Sequence, residues 1–143
     1  MKKLLLCLTA VICFSLLNVA TADSASDCKR LTKPGLINPQ YREALPLCQE
    51  ACNLNDSEGC FMVGYLYHAG TDIRQNFQQA KIYYEKACNL NHMEGCHNLG
   101  LLYRDGQGVR QNLQTAKEYF GKACDVGLQE GCNKYRMLNE KGY

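Results

Sequence analysis

The stretch Ala51-Cys52-Asn53-Leu54-Asn55-Asp56-Ser57-Glu58-Gly59-Cys60 holds two cysteines, and it recurs at residues 87–96 and 123–132, so that both cysteines repeat every 36 residues. Segments 52–87 and 88–123 are identical at 20 of 36 positions. A fixed period of this length is typical of a solenoid, in which helix pairs stack and each pair contacts only its neighbours. The repeat therefore predicts an all-α fold, an α/α solenoid of helix-turn-helix units.

The amino terminus has the pattern of a secretory signal peptide. Met1-Lys2-Lys3 is followed by an apolar run over residues 4–17 and by the small residues of Ala20-Thr21-Ala22. The apolar run is too short for a membrane-spanning helix. We therefore expect residues 1–22 to be removed on export, to the periplasm or the medium, and the mature chain to have no membrane attachment.

The composition of residues 23–143 indicates which classes of partner the protein can bind and what its cysteines do. This part has 14 basic and 14 acidic residues, a balance that argues against binding nucleic acid. It holds eight cysteines, and an even number in an exported chain indicates disulfides. Zinc binding is the weaker alternative, because no C-x-x-C pair is present. We expect neither metal nor cofactor.

The period divides the chain. We expect a degenerate half-repeat cap at 23–57, full repeats at 58–93 and 94–129, and a capping helix at 130–143. Gly64 costs its helix about 1 kcal/mol relative to alanine, and it recurs as Gly100, which suggests that a partner helix packs closely there. Pro46 should kink the helix expected from Tyr41, or delay its start.

The repeat resembles the Sel1-like repeat, a 36-residue relative of the tetratricopeptide repeat. The resemblance covers roughly residues 40–138 and implies a right-handed superhelix. The added cysteine pairs are similar to those of the cysteine-rich Sel1-like proteins of Helicobacter, which have been classed as β-lactamases or penicillin-binding proteins. The resemblance thus implies β-lactam binding or hydrolysis as an alternative function. The matching residues are Val63-Gly64-Tyr65-Leu66-Tyr67, Gly70, Ile73, Ala80, Tyr83-Tyr84, Ala87, Leu99-Gly100, Tyr103, Gly106-Gln107-Gly108-Val109 and 116–123.

The cysteine spacing predicts how the disulfides pair. In one continuous helix, the Cα atoms of Cys52 and Cys60 would lie ~12 Å apart, whereas a disulfide needs less than about 7 Å. The chain must therefore reverse between them, and each such bridge ties one repeat to the next. The two remaining cysteines fall, by the period, on the two packed helices of the first unit. The expected pairs are Cys28–Cys48, Cys52–Cys60, Cys88–Cys96 and Cys124–Cys132.

Evidence for catalysis is sparse. Ser26-Asp27-Cys28-Lys29 is an S-x-x-K motif, but the S-D-N and K-T-G motifs that accompany it in serine β-lactamases are missing. The three histidines have no metalloprotease spacing, and we expect them to lie on the surface. Whether the protein is an enzyme stays open, and no catalytic residue is assigned.

Binding is the function that the sequence favours. First helices of repeat solenoids line a concave face that holds peptides or partner helices. Residues opposite the packing stripe form a candidate binding face for a protein or peptide partner. An equally consistent alternative is that several of them, Phe61 and Leu101 above all, fill the groove between repeats. We expect a monomer. The candidate face consists of Phe61, Tyr65, His68, His97, Leu101, Arg104 and Met137.

Overall fold

The computed structural model describes residues 23–33 and 40–143, and these ranges form seven α-helices and no strand, which confirms the predicted fold class. The signal-peptide prediction for residues 1–22 lies outside the described residues. Within the described ranges, no helix is both long and apolar enough to cross a membrane. The helices are α1 (residues 23–32), α2 (Tyr41–Asn53), α3 (Ser57–Ala69), α4 (Phe77–Asn89), α5 (Met93–Asp105), α6 (Leu113–Asp125) and α7 (Gln129–Glu140).

The helices pack in chain order as antiparallel neighbours. α3 packs on α4 and α5 packs on α6 within the two full repeats, and each following helix contacts the one before it. α3 also contacts α5, so first helices of successive repeats lie side by side. We call α1, α3, α5 and α7 the first-helix layer, and α2, α4 and α6 the second-helix layer.

Local sequence sets where the helices begin and end. The side chains of Asp56, Asn76 and Asn112 each accept a hydrogen bond from the backbone N–H of the third residue of the following helix, which satisfies an otherwise unpaired donor. Gly70 and Gly106 end α3 and α5 with φ of 70° and 69°, a left-handed conformation that glycine adopts without strain. The capping residues thus define where the helices of each helix-turn-helix unit begin and end.

The disulfides lie at the turns between repeats. Asn55 and Asn91 have φ of 63° and 62°, and this left-handed residue reverses the chain between one helix and the next. The reversal brings the three repeat-joining cysteine pairs to Cα separations of 4.4–4.5 Å, and the pair within the first unit to 4.9 Å. The four bridges are those expected from the sequence, Cys28–Cys48, Cys52–Cys60, Cys88–Cys96 and Cys124–Cys132.

The recurrent helix glycines admit large aromatic rings. A Cβ atom on Gly64 would lie 2.6 Å from Cδ1 of Tyr84, and one on Gly100 would lie 2.7 Å from Cε1 of Phe120. The missing side chain therefore lets each aromatic ring pack against the backbone of the facing helix. Arg136 stands at the third equivalent position and is exposed.

Proline lies inside α2. The helix begins at Tyr41 and includes Pro46 in its second turn, so of the two expected effects, a kink or a delayed start, the delayed start does not occur. The ring removes one backbone donor, and the carbonyl of Arg42 loses its usual partner. Two residues after Pro46, the Cys28–Cys48 disulfide ties α2 to α1.

Candidate functional site

A groove of about 820 Å³ separates α1 from α3 within the first-helix layer. Its α3 wall includes Phe61 and Tyr65 of the predicted binding face, whose ring centroids lie 6.5 Å apart. Tyr65 is 42% exposed, whereas Phe61 is half-buried. The remaining lining residues are Ser26, Lys29, Arg30, Thr32, Lys33, Tyr41, Glu58 and Met62.

Phe61 packs against the residue that caps α5 and against the core cluster that contains Leu99 and Leu102 of α5. Its ring stacks on His92 at 4.6 Å, with an angle of 14° between the ring planes, and lies 6.0 Å from Tyr84. Phe61 therefore packs between repeats, as the alternative interpretation proposed, while it also lines the groove.

His92 caps α5, a role that the sequence reasoning missed. The Gly95 N–H donates to its Nδ1 at 3.2 Å, so Nδ1 is unprotonated and Nε2 carries the proton. Nε2 lies 3.5 Å from Oε2 of Glu58. The signal was available, because His92 follows the capping residue Asp56 by one 36-residue period.

His68 and Tyr84 form a polar pair in repeat 1. The hydroxyl of Tyr84, a fully buried side chain, lies 3.3 Å from Nδ1 of His68. Burial raises the pKa of Tyr84 well above its usual range, although a hydrogen bond with Asn98 opposes the rise. Burial likewise lowers the pKa of His68. Both groups are therefore neutral at neutral pH, and His68 is only partly available to a ligand.

His97 contradicts the prediction of surface histidines. It is 6% exposed and packs on Phe120 at 5.4 Å, and its Nδ1 is buried without a hydrogen-bond partner among the described residues. Its Nε2 lies 3.6 Å from Oε1 of Glu130 on α7. The prediction was wrong because this helix position faces the seam between repeats. His97 therefore cannot contribute to an exposed face.

The other predicted face residues differ in exposure. Leu101 packs on the cluster that contains Phe120 and Leu138, so it fills the seam between repeats. Arg104 donates to both carboxylate oxygens of Asp105, at 2.6 and 2.7 Å, and holds the pKa of that carboxyl below its usual range. Met137 is 36% exposed on α7. Tyr65 and Met137 are thus the most exposed members of the predicted face.

Groups suited to catalysis are scarce in the described residues. The Ser26 hydroxyl donates to the Asp23 carbonyl at 3.0 Å, and no hydrogen bond joins it to Lys29 in this part of the chain. Every cysteine of the described ranges is in a disulfide, and no cluster of three His, Cys, Asp or Glu residues there could hold a metal ion.

Comparison with known proteins agrees with this geometry. The family model of the Sel1 repeat matches residues 57–92 and 94–128. Cysteine-rich protein B (HcpB) of Helicobacter pylori is 29% identical with a TM-score of 0.69, over 83% of this chain and 91% of that one. No significant match was found among curated protein sequences.

Two further solved structures share the fold. A Sel1 repeat protein from Oxalobacter formigenes is 21% identical with a TM-score of 0.77, over 85% of this chain and 50% of that one. The protein c5321, a protective antigen of uropathogenic Escherichia coli strains, is 20% identical with a TM-score of 0.71, over 82% of this chain and 25% of that one. With two tandem matches to the repeat model and these structural neighbours, the chain belongs to the Sel1-repeat proteins.

Proposed function

We propose that this protein is an exported module that binds peptide segments of partner proteins along its first-helix layer. Sel1-repeat proteins generally mediate protein–protein interaction. The observation that carries the proposal is the groove between α1 and α3, whose α3 wall presents the exposed ring of Tyr65.

The lining of the groove suits a peptide. Phe61, Met62 and Tyr41 provide apolar surface, and charged side chains also line the groove. Binding sites in proteins combine an apolar centre with a polar rim, and tyrosine is enriched among the residues that contribute most to affinity. The Tyr65 ring is exposed yet supported by Phe61, so little conformational entropy is lost when it contacts a ligand.

Export to an oxidising compartment is the second part of the proposal. Four disulfides in so short a chain persist only where thiols are not kept reduced. They also offset the small core of a solenoid with two full repeats, since each closed loop limits the freedom of the unfolded chain.

A pair of variants tests binding. Tyr65 and Ile82 are both 42% exposed, but Tyr65 lies in the first-helix layer and Ile82 in the second. The oxidised wild-type protein, Tyr65→Ala and Ile82→Ala are immobilised and exposed to an envelope extract of the producing cell, and captured proteins are quantified by mass spectrometry. Tyr65→Ala should lose a captured partner that Ile82→Ala retains. Equal capture by all three proteins would refute binding through this layer.

The β-lactam alternative has its own test. Because the Ser26 hydroxyl has no basic partner in the described ranges, we expect the purified protein not to hydrolyse a chromogenic cephalosporin. Hydrolysis that disappears in Ser26→Ala would establish the enzyme instead.

A further inference from the structure

We infer that the groove between α1 and α3, here called the N-terminal groove, selects acidic peptide segments in which carboxylates flank an aromatic or aliphatic side chain. This inference rests on the proposed binding function and adds the chemical class of the ligand. Two observations support the inference, the positive charge on the α1 side of the groove and the apolar surface on the α3 side.

The α1 wall carries two uncompensated positive charges. Arg30 is paired with Asp27, with Nη2 2.9 Å from Oδ1. Lys29 and Lys33 are exposed, and within the described ranges neither has an ion-pair partner within 4.0 Å. Lys29 lies in the last turn of α1, and Lys33 follows directly after the helix. Both line the same groove, so their ammonium groups can contact carboxylates of one bound segment.

The α3 wall is apolar apart from one carboxylate. Phe61, Met62 and Tyr65 line it, and its acidic residue is Glu58. The protonated Nε2 of His92 lies 3.5 Å from Oε2 of Glu58, which directs a donor at that charge and lessens its repulsion of an anionic ligand. A ligand thus meets an apolar surface on α3 and cationic groups on α1.

The 36-residue period shows that this combination is specific to the N-terminal groove. The positions equivalent to Lys29 and Lys33 are Tyr65 and Ala69 on α3, and Leu101 and Asp105 on α5. The later seams thus lack the lysine pair. Selectivity for carboxylates should therefore reside in this groove rather than along the whole layer.

Fluorescence anisotropy with three synthetic peptides tests the inference. The short, fluorescein-labelled peptides share a central phenylalanine, flanked by glutamates, by serines or by lysines. The glutamate-flanked peptide should bind most tightly, and its affinity should fall as sodium chloride is raised. In Lys29→Glu/Lys33→Glu its affinity should fall about tenfold, with the serine-flanked peptide unaffected.

The matched control reverses two charges elsewhere. Arg74 and Arg110 are exposed in the loops that follow α3 and α5, so Arg74→Glu/Arg110→Glu changes the net charge equally. We expect this variant to bind the acidic peptide about as well as the wild-type protein. An equal loss in both double variants would show attraction by net charge alone and would overturn the inference.

Two further outcomes separate this inference from the proposed function. If the three peptides bind equally and only Tyr65→Ala weakens them, acidic selectivity is wrong and peptide binding stands. If no peptide binds but phosphatidylglycerol vesicles do, and Lys29→Glu/Lys33→Glu abolishes that binding, the lysines recognise a lipid surface and the inference is overturned. The capture experiment with Tyr65→Ala then judges the proposed function independently.

Discussion

Repeats 1 and 2 follow one backbone plan but place their polar core atoms on opposite helices. Repeat 1 packs Phe61 of α3 against Tyr84 of α4, and repeat 2 packs His97 of α5 against Phe120 of α6. The Tyr84 hydroxyl is within reach of His68, whereas Nδ1 of His97 has no hydrogen-bond partner among the described residues.

The difference shows which positions the solenoid constrains. Both repeats keep the glycine that admits the aromatic ring and the cysteines that close the turn, because those positions fix how near the helices approach. The two facing rings can exchange their chemical character between the repeats, since the polar ring lies on the second helix in repeat 1 (Tyr84) and on the first helix in repeat 2 (His97). In repeat 2 the buried Nδ1 of His97 has no hydrogen-bond partner among the described residues, and this destabilises the packing of α5 against α7.

The largest expected effect comes from the disulfides that join the repeats. Cys88→Ala/Cys96→Ala opens the joint between repeats 1 and 2 and should reduce the free energy of unfolding by about 3 kcal/mol, as urea denaturation would measure. Cys124→Ala/Cys132→Ala frees only α7, so amide exchange should accelerate in α7 before the rest of the chain. If amide exchange accelerated uniformly along the chain in both variants, the idea that each disulfide stabilises its own inter-repeat turn would be refuted.

The helix glycines should give the next largest effect. Gly64→Ala and Gly100→Ala each place a Cβ atom against an aromatic ring, at 2.6 Å and 2.7 Å, and should cost about 1–3 kcal/mol. Arg136→Ala, at the exposed equivalent position, is the control and should change stability by less than about 0.5 kcal/mol. Thermal or urea denaturation of the three variants checks the series, and equal effects at all three positions would contradict the packing argument.

The smallest effect should come from giving repeat 2 the aromatic residue of repeat 1. His97→Phe removes the unpaired Nδ1 and should stabilise the protein by about 1 kcal/mol near neutral pH. It should also change how stability depends on pH, a readout that does not require the larger ring to fit perfectly.

The sign of that pH dependence follows from the groups around His97. Burial lowers its pKa from 6.5, Lys134 and Arg104 lower it further, and Glu130 and Glu94 oppose the shift. The unfolded chain thus takes up this proton more readily than the folded protein, so stability is retained above pH 6.5 and lost as the pH falls through the lowered value. Urea midpoints measured against pH should fall less steeply below pH 6.5 in His97→Phe, and an unchanged slope would contradict this.

Much of the fold could be predicted because the repeated cysteines and helix glycines are compatible with only one or two local structures. The cysteine spacing requires a chain reversal, and a repeated helix glycine indicates close approach of a partner. The burial of His97 could not be predicted in this way, because its equivalent, Phe61, had been placed on an exposed strip. The N-terminal groove was missed because residues 23–57 were expected to form only a degenerate half-repeat cap, whereas Lys29 of α1 and Tyr65 of α3 line one groove.

The central claim is that the first-helix layer binds and the second-helix layer does not. The most direct test replaces single residues with photoreactive benzoylphenylalanine, in the producing cell, and compares cross-links from the two layers. The first-helix sites Tyr65 and Met137 are exposed and lie two periods apart, and the second-helix sites Ile82 and Glu118 are exposed and lie one period apart. We predict that the first-helix sites cross-link one shared partner that the second-helix sites miss. Cross-linking of that partner from Ile82 and Glu118, with none from Tyr65, would contradict the account.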